Sequence, residues 1–251
     1  MSRNLRRFLL ALLFLAIVVV WVHPRLSGQT AAPGQPSTRN GEWPYYTADL
    51  KGTKYSPLDQ INASNFNSLV VAWRFKTDRF GPRPEYKLEG TPLMVKGVMY
   101  ATAGTRRDVV SFDPKTAELN WVYSMREGQR AAIAPRQLSG RGLSYWTDGS
   151  GDERVLFVTT GYRLVELNAK NGIPVASFGT NGVVDLKVGA YTGLGQQIDL
   201  VNGEIGLHST PTVVKDVVLV GSAFKEGTQV ITHNNTKGLV RAFDVRTGKM
   251  L

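Results

Sequence analysis

A strand-turn-strand unit recurs three times along this chain, and the recurrence limits the fold more than any other feature. The first copy reads Val109-Val110-Ser111-Phe112-Asp113-Pro114-Lys115-Thr116-Ala117-Glu118-Leu119-Asn120-Trp121. A second runs Leu164-Val165-Glu166-Leu167-Asn168-Ala169-Lys170-Asn171-Gly172, and a third Leu239-Val240-Arg241-Ala242-Phe243-Asp244-Val245-Arg246-Thr247-Gly248-Lys249-Met250-Leu251. Each joins a short apolar strand to an Asp or Asn that can bond its own backbone in a tight turn. In two of the three a Gly follows where the turn needs positive φ. One such hairpin cannot bury its apolar face without neighbours, so copies spaced tens of residues apart predict a radial or stacked all-β architecture, with a β-propeller as its natural form. Trp121 lies eight residues after Asp113, and the same offset from Asp244 falls just past Leu251. The expectation is a chain that stops inside a blade.

Further strands come in pairs, at 93–95 with 98–102, 155–160 with 164–167 and 212–214 with 217–220. The two-residue spacers Lys96-Gly97 and Lys215-Asp216 suit hairpins. An additional strand is expected over 70–75, in Val70-Val71-Ala72-Trp73-Arg74-Phe75, and no amphipathic helix of three turns is legible after the leader. Long Gly-rich and polar loops are expected at 77–89, 125–142, 189–206 and 225–237. On a compact β scaffold such loops collect function.

The first 32 residues read differently. Arg3, Arg6 and Arg7 precede an unbroken apolar run over 8–22, followed by the small and polar Ser27-Gly28-Gln29-Thr30-Ala31-Ala32. This is the layout of a secretory signal peptide. Fifteen helical residues span roughly 22 Å, short of the roughly 30 Å of a bilayer core, so export with cleavage is favoured over a retained anchor. Residues 33–40 read as a linker and 41–251 as the folded part.

The formal charge of +10 includes four basic residues of the leader, Arg3, Arg6, Arg7 and Arg25. Without them roughly +6 remains, dispersed, with no basic helix and no aromatic interleaving, so nucleic acid is not an expected partner. The chain has no cysteine. Disulfides, thiolate metal sites and cysteine-linked lipid anchors are thereby excluded from it. Asn62-Ala63-Ser64 and Asn234-Asn235-Thr236 match glycosylation triplets, which are common by chance.

Five stretches carry a specific resemblance: Gly41-Glu42-Trp43-Pro44-Tyr45-Tyr46, Tyr55-Ser56-Pro57-Leu58-Asp59-Gln60-Ile61-Asn62, Glu89-Gly90-Thr91-Pro92-Leu93, Arg141-Gly142-Leu143-Ser144-Tyr145-Trp146 and Gly238-Leu239-Val240-Arg241-Ala242-Phe243-Asp244. From Gly41 to Leu251 the chain resembles the N-terminal part of the quinoprotein dehydrogenases. Those are periplasmic enzymes that carry pyrroloquinoline quinone (PQQ) with calcium and oxidise alcohols or sugars. The resemblance implies an eight-bladed propeller, here truncated after about three blades, in which the strand at 70–75 completes the last blade. It implies a small-molecule alcohol, polyol or sugar substrate, with a cytochrome c or a membrane quinone as electron acceptor.

The resemblance also implies roles for single residues. Arg141 matches an arginine that contacts the cofactor, and Glu89 a glutamate that hydrogen-bonds it. His208 stands where other members place a threonine bonding a cofactor carboxylate. Glu226 matches a calcium-ligating glutamate, although Phe224-Lys225-Glu226-Gly227 departs from the small-residue run that normally precedes it. The chemistry suits these types: calcium takes carboxylate and carbonyl oxygens, and the quinone's carboxylates want arginine or other fixed donors. The catalytic aspartate would lie after Leu251. Pro135-Arg136 replaces the adjacent cysteines of the alcohol-oxidising branch, and Gln137 replaces a histidine of the membrane glucose-oxidising branch. The substrate therefore stays open between the branches. The competing reading is a non-catalytic propeller of the same repeat, acting as a scaffold for protein assembly.

Overall fold

The computed structural model describes residues 35–138, 140–225, 230 and 232–251. The leader and Glu226 lie outside the described residues. The structure of the described residues is all-β apart from two 3-10 turns and the one-turn helix α1 (Gln129–Ala132). Among the described residues no helix is long and apolar enough to cross a membrane.

Eleven strands among the described residues form three antiparallel sheets in chain order. The first holds β1 (Leu93–Val95), β2 (Val98–Ala103), β3 (Asp108–Phe112) and β4 (Leu119–Tyr123). The second holds β5 (Ser144–Thr147), β6 (Glu153–Val158), β7 (Arg163–Asn168) and β8 (Val183–Asp185). The third holds β9 (Thr212–Val214), β10 (Val217–Val220) and β11 (Arg241–Asp244), with Met250 bridging back to Phe243 where a fourth strand would start. Within each sheet sequence neighbours are spatial neighbours, which is the up-and-down meander of a propeller blade. The expected pairs at 93–95 with 98–102 and 212–214 with 217–220 are present. The β1–β2 spacer Lys96-Gly97 has positive φ at both residues, 49° and 77°, as the tightest hairpin turn requires.

The recurring unit is the turn from the third to the fourth strand of each sheet, and its geometry repeats atom for atom. In copy one Asp113 donates its N–H to Glu118 O at 2.9 Å and accepts at Oδ1 from Lys115 N at 2.7 Å. In copy two Asn168 donates to Ile173 O at 2.8 Å and accepts from Lys170 N at 2.9 Å. Asp244 does the same with Lys249 O at 2.8 Å and Arg246 N at 3.1 Å. The side-chain oxygen thus satisfies a backbone donor that the sharp turn strands. The left-handed position falls on Gly172 (φ 71°), Gly248 (φ 71°) and, in the first copy, Ala117 (φ 61°).

Those turns are also where neighbouring blades dock. Trp121 of β4 donates its indole N–H to Ala169 O at 3.0 Å, and its ring lies against Gly172, where a Cβ would come within 2.4 Å of it. Trp73 treats the first copy in the same way, donating to Pro114 O at 2.9 Å, with Phe112 edge-on to its ring. The corresponding carbonyl of the third copy, Val245 O, is instead met by the Arg154 guanidinium at 3.3 Å. Arg154 lies over the Trp146 ring and ion-pairs with Asp152 and with fully buried Glu166. One apolar cluster packs Leu93, Tyr100 and Val109 of the first sheet against Tyr145, Val155 and Val165 of the second. Another packs Leu156, Leu164 and Tyr162 against Val213, Val218 and Phe243 of the third.

The segment at 70–75 departs from expectation. It forms no strand; Val70 is 87 % and Val71 65 % exposed. Trp73 and Phe75 still pack on the first sheet, Phe75 stacking on Phe112 and Phe80. The side-chain docking needs only the first blade, whereas a ladder needs a neighbouring strand, and none of the described strands is placed to provide it.

Candidate functional site

Glu89, Arg141 and His208 occupy equivalent places in the three sheets, each in the approach to the first strand. The backbone ties these approaches together: Thr91 N donates to Arg141 O at 3.2 Å and Arg141 N to His208 O at 3.0 Å. Such close contact explains the Arg-Gly pair. Gly142 has φ 117°, a conformation open essentially to glycine, and a Cβ there would lie 3.1 Å from Thr91 O.

The three side chains converge. Glu89 Oε1 pairs with Lys87 Nζ at 2.9 Å, while Glu89 Oε2 sits 3.1 Å from His208 Nδ1 and 3.7 Å from Arg141 Nε. Neither of the last two contacts is a hydrogen bond, and Oε2 is buried without one. The hydrogen bond from Lys87, helped by the charge on Arg141, holds the Glu89 carboxyl below the usual range. Burial, then the positive charges of Arg107, Arg141 and Arg136, push the His208 imidazole down, against the pull of Glu89. At pH 7 the cleft therefore presents an ionised Glu89 and a neutral His208.

Around them opens a cleft of about 830 Å³. Its walls include Arg83, Lys87, Arg136, Arg141 and Lys225 beside Glu89, its one lining carboxylate among the described residues, with Tyr86 and Leu207 as apolar cover. The 125–142 loop forms one wall and is held at its far end: Arg130 is buried and grips Asp185 through two hydrogen bonds of 2.8 and 2.5 Å. Glu127 accepts from Thr159 Oγ1 at 3.0 Å, from Gly161 N at 2.7 Å and from Arg163. Behind the other end, Arg107 of the β2–β3 turn reaches carbonyls on both sides of the cleft.

Arg107, Arg83 and Lys87 were not legible as site residues. Arg106-Arg107 reads in sequence as a charged surface turn, and only the inward direction of the second side chain distinguishes it. Among the described residues no group of three or more His, Cys, Asp or Glu is arranged to hold a metal ion. The expected calcium ligand, Glu226, lies outside them.

Residues 43–251 match the family model for the PQQ glucose/ethanol/alcohol dehydrogenase β-propeller domain. The chain belongs to that family. It is 31% identical over 241 residues to the dehydrogenase subunit of a quinone-dependent alcohol dehydrogenase of Gluconobacter oxydans (strain 621H), covering 96% of this chain and 28% of that protein. A quinoprotein glucose dehydrogenase of the same organism is 30% identical over 238 residues, covering 87% and 28%. Among solved structures, the quinohemoprotein alcohol dehydrogenase of Comamonas testosteroni superposes with a TM-score of 0.62 at 24% identity, over 84% of this chain and 27% of the other. That superposition supports the propeller fold. The chain spans about 28% of the length of these curated relatives.

The donor set fits the cofactor of the family. PQQ is a flat tricarboxylate, and the cleft offers arginine and lysine side chains for its carboxylates. Glu89 Oε2 is an ionised acceptor without a donor, and the pyrrole N–H is the donor that PQQ has to offer.

Proposed function

We propose that this chain contributes the cofactor-binding first blades of a PQQ- and calcium-dependent dehydrogenase that oxidises an alcohol, polyol or sugar hydroxyl. The observation that carries the reading is the convergence of Glu89, Arg141 and His208, from three successive blades, on one cationic cleft. Arg141 would fix a cofactor carboxylate through its guanidinium fork, and Glu89 would accept the pyrrole N–H. His208, neutral at pH 7, would donate to a second carboxylate through an imidazole N–H. PQQ, when bound, supplies an orthoquinone able to accept hydride from the substrate carbon. The backbone links among the three approaches hold the side chains before ligand arrives, which lowers the ordering cost of binding.

Calcium, with Glu226 among its ligands, belongs to the same proposal, as do export to the periplasm and electron delivery to a cytochrome c or membrane quinone. The name of the quinohemoprotein neighbour is in keeping with a haem acceptor. The test is reconstitution of the full-length apo-protein with PQQ and calcium, followed by dye-linked oxidation of a panel of alcohols, polyols and sugars. Activity that requires both additions is the expected result; activity with neither, or none on any panel member, would overturn the reading. Glu226→Gln should raise the calcium needed for half-activation, since it removes ligand charge but little volume. N-terminal sequencing of the mature protein should find a start between about Ser27 and Pro33, whereas an intact Met1 in the membrane fraction would mean a retained anchor.

A further inference from the structure

Arg107 is the most buried arginine beside the cleft, with 3 % of its surface exposed, and it has no carboxylate in ion-pair contact among the described residues. Its guanidinium is satisfied by main-chain carbonyls instead. Nε donates to Leu138 O at 3.0 Å and Nη2 to Arg136 O at 3.2 Å, both in the loop that leads to Arg141. Nη1 donates to Leu207 O at 2.7 Å, the residue before His208, and to Val158 O at 2.8 Å and Thr159 O at 3.4 Å at the end of β6. One planar group thus bonds three separate segments, two of which carry cleft residues.

Two further details show how closely the surroundings are fitted to it. Arg107 itself has φ 61°, a left-handed conformation that strains a non-glycine residue. Gly140, next to Arg141, has φ 72°, and a Cβ there would lie 3.1 Å from both Arg107 Nε and His208 O. A neutral side chain could cap two or three carbonyls. A buried guanidinium with no carboxylate in contact is costly, and it supplies both a charge and a planar fork that a neutral group lacks.

We propose that Arg107 is a positioning residue of the cofactor cleft, tying the Arg141 loop to the His208 loop and keeping a positive charge beneath them with no carboxylate in direct contact, so that the cleft is preset for an anionic ligand. The assignment of that ligand as PQQ rests on the function proposed above. Burial pulls the Arg107 guanidinium down to about 10, against the opposing charges of Glu127 and Glu85, so it remains charged at pH 7. Its field acts on His208, which also faces Glu89 from the approach to β1 and Arg136 and Arg141 from the approach to β5. Lys87, Arg83 and Lys225 complete the charged surroundings of the cleft.

The experiment compares wild type, Arg107→Lys and Arg107→Met in the full-length apo-protein. One readout is the His208 imidazole titration by NMR; the other is PQQ affinity by fluorescence quenching as a function of pH. Arg107→Lys keeps the charge and loses the fork, so PQQ should bind about tenfold more weakly with the His208 midpoint near wild type. Arg107→Met loses both, so affinity should fall about a hundredfold and the His208 midpoint should rise, because a neighbouring cation no longer opposes protonation. An unchanged His208 midpoint in Arg107→Met, or PQQ affinity within about twofold of wild type in Arg107→Lys, would overturn the proposal. Should Arg107→Met fail to fold, the Arg107→Lys affinity decides. Should wild type bind no PQQ, the cofactor reading falls by itself, and the His208 midpoint still decides whether Arg107 sets the charge of the cleft.

Discussion

Ala117 holds a backbone conformation that Gly172 and Gly248 hold without a side chain, and the difference is measurable. Its φ of 61° strains an L-residue, while the same turn with glycine is strain-free. Ala117→Gly should raise stability by about 0.5–1 kcal/mol in urea unfolding, after the entropy that glycine loses on folding is set against the relieved strain. The converse change, Gly172→Ala, should cost about 2 kcal/mol or more, because its Cβ would intrude on the Trp121 ring at 2.4 Å as well as straining φ. Equal effects of the two substitutions would contradict the equivalence of the turns. At this scale the sequence was informative wherever a residue acts through its own backbone: Asp113, Asn168 and Asp244 were legible as turn formers. Arg107 was not, since its partners are carbonyls 29 to 100 residues away, and no local pattern encodes them.

Between elements, two kinds of docking join the blades. An indole meets a turn carbonyl at Trp73 and Trp121, and a buried guanidinium meets one at Arg154. Arg154→Ala should cost about 1–3 kcal/mol, since it leaves the buried Glu166 carboxyl without its hydrogen-bond partner and removes the contact to the third blade. Glu166→Gln should cost far less, because Asp152 and two main-chain carbonyls still satisfy Arg154. Burial raises Glu166 to about 8, with Oε1 left unbonded, and the Arg154 charge only partly offsets it. The folded state then holds a proton that the unfolded chain releases near 4.5, so stability should fall as pH rises from about 4.5 to about 8. Glu166→Gln should flatten that slope in thermal unfolding, and an undiminished slope would place its origin elsewhere. The hairpins at 93–95 with 98–102 and 212–214 with 217–220 were legible because alternation and two-residue turns are local signals. The short β5 and β8 were not read as strands. Nor did the 70–75 segment form its expected strand, since a ladder depends on a neighbour that local sequence does not describe.

For the whole molecule, the repeat and the five family motifs made the propeller legible, and the structure and the family match agree. The apolar side chains of Val70, Val71 and Val240 remain open to solvent at the two flanks of the described blades, at 87 %, 65 % and 81 % exposure. Expressed alone, residues 41–251 should therefore show broad, weakly cooperative thermal unfolding; a sharp two-state transition in a soluble monomer would contradict this. Three successive blades bring Glu89, Arg141 and His208 to one cationic cleft, on the proposed reading to hold one anionic cofactor. Calorimetric titration of PQQ into the full-length apo-protein, wild type beside Arg141→Ala and Arg141→Lys, tests it most directly. The expected result is saturable binding to wild type, an affinity lower by about ten- to a hundredfold in Arg141→Ala, and partial recovery in Arg141→Lys, where a point charge replaces the fork. Affinity unchanged by Arg141→Ala would contradict it.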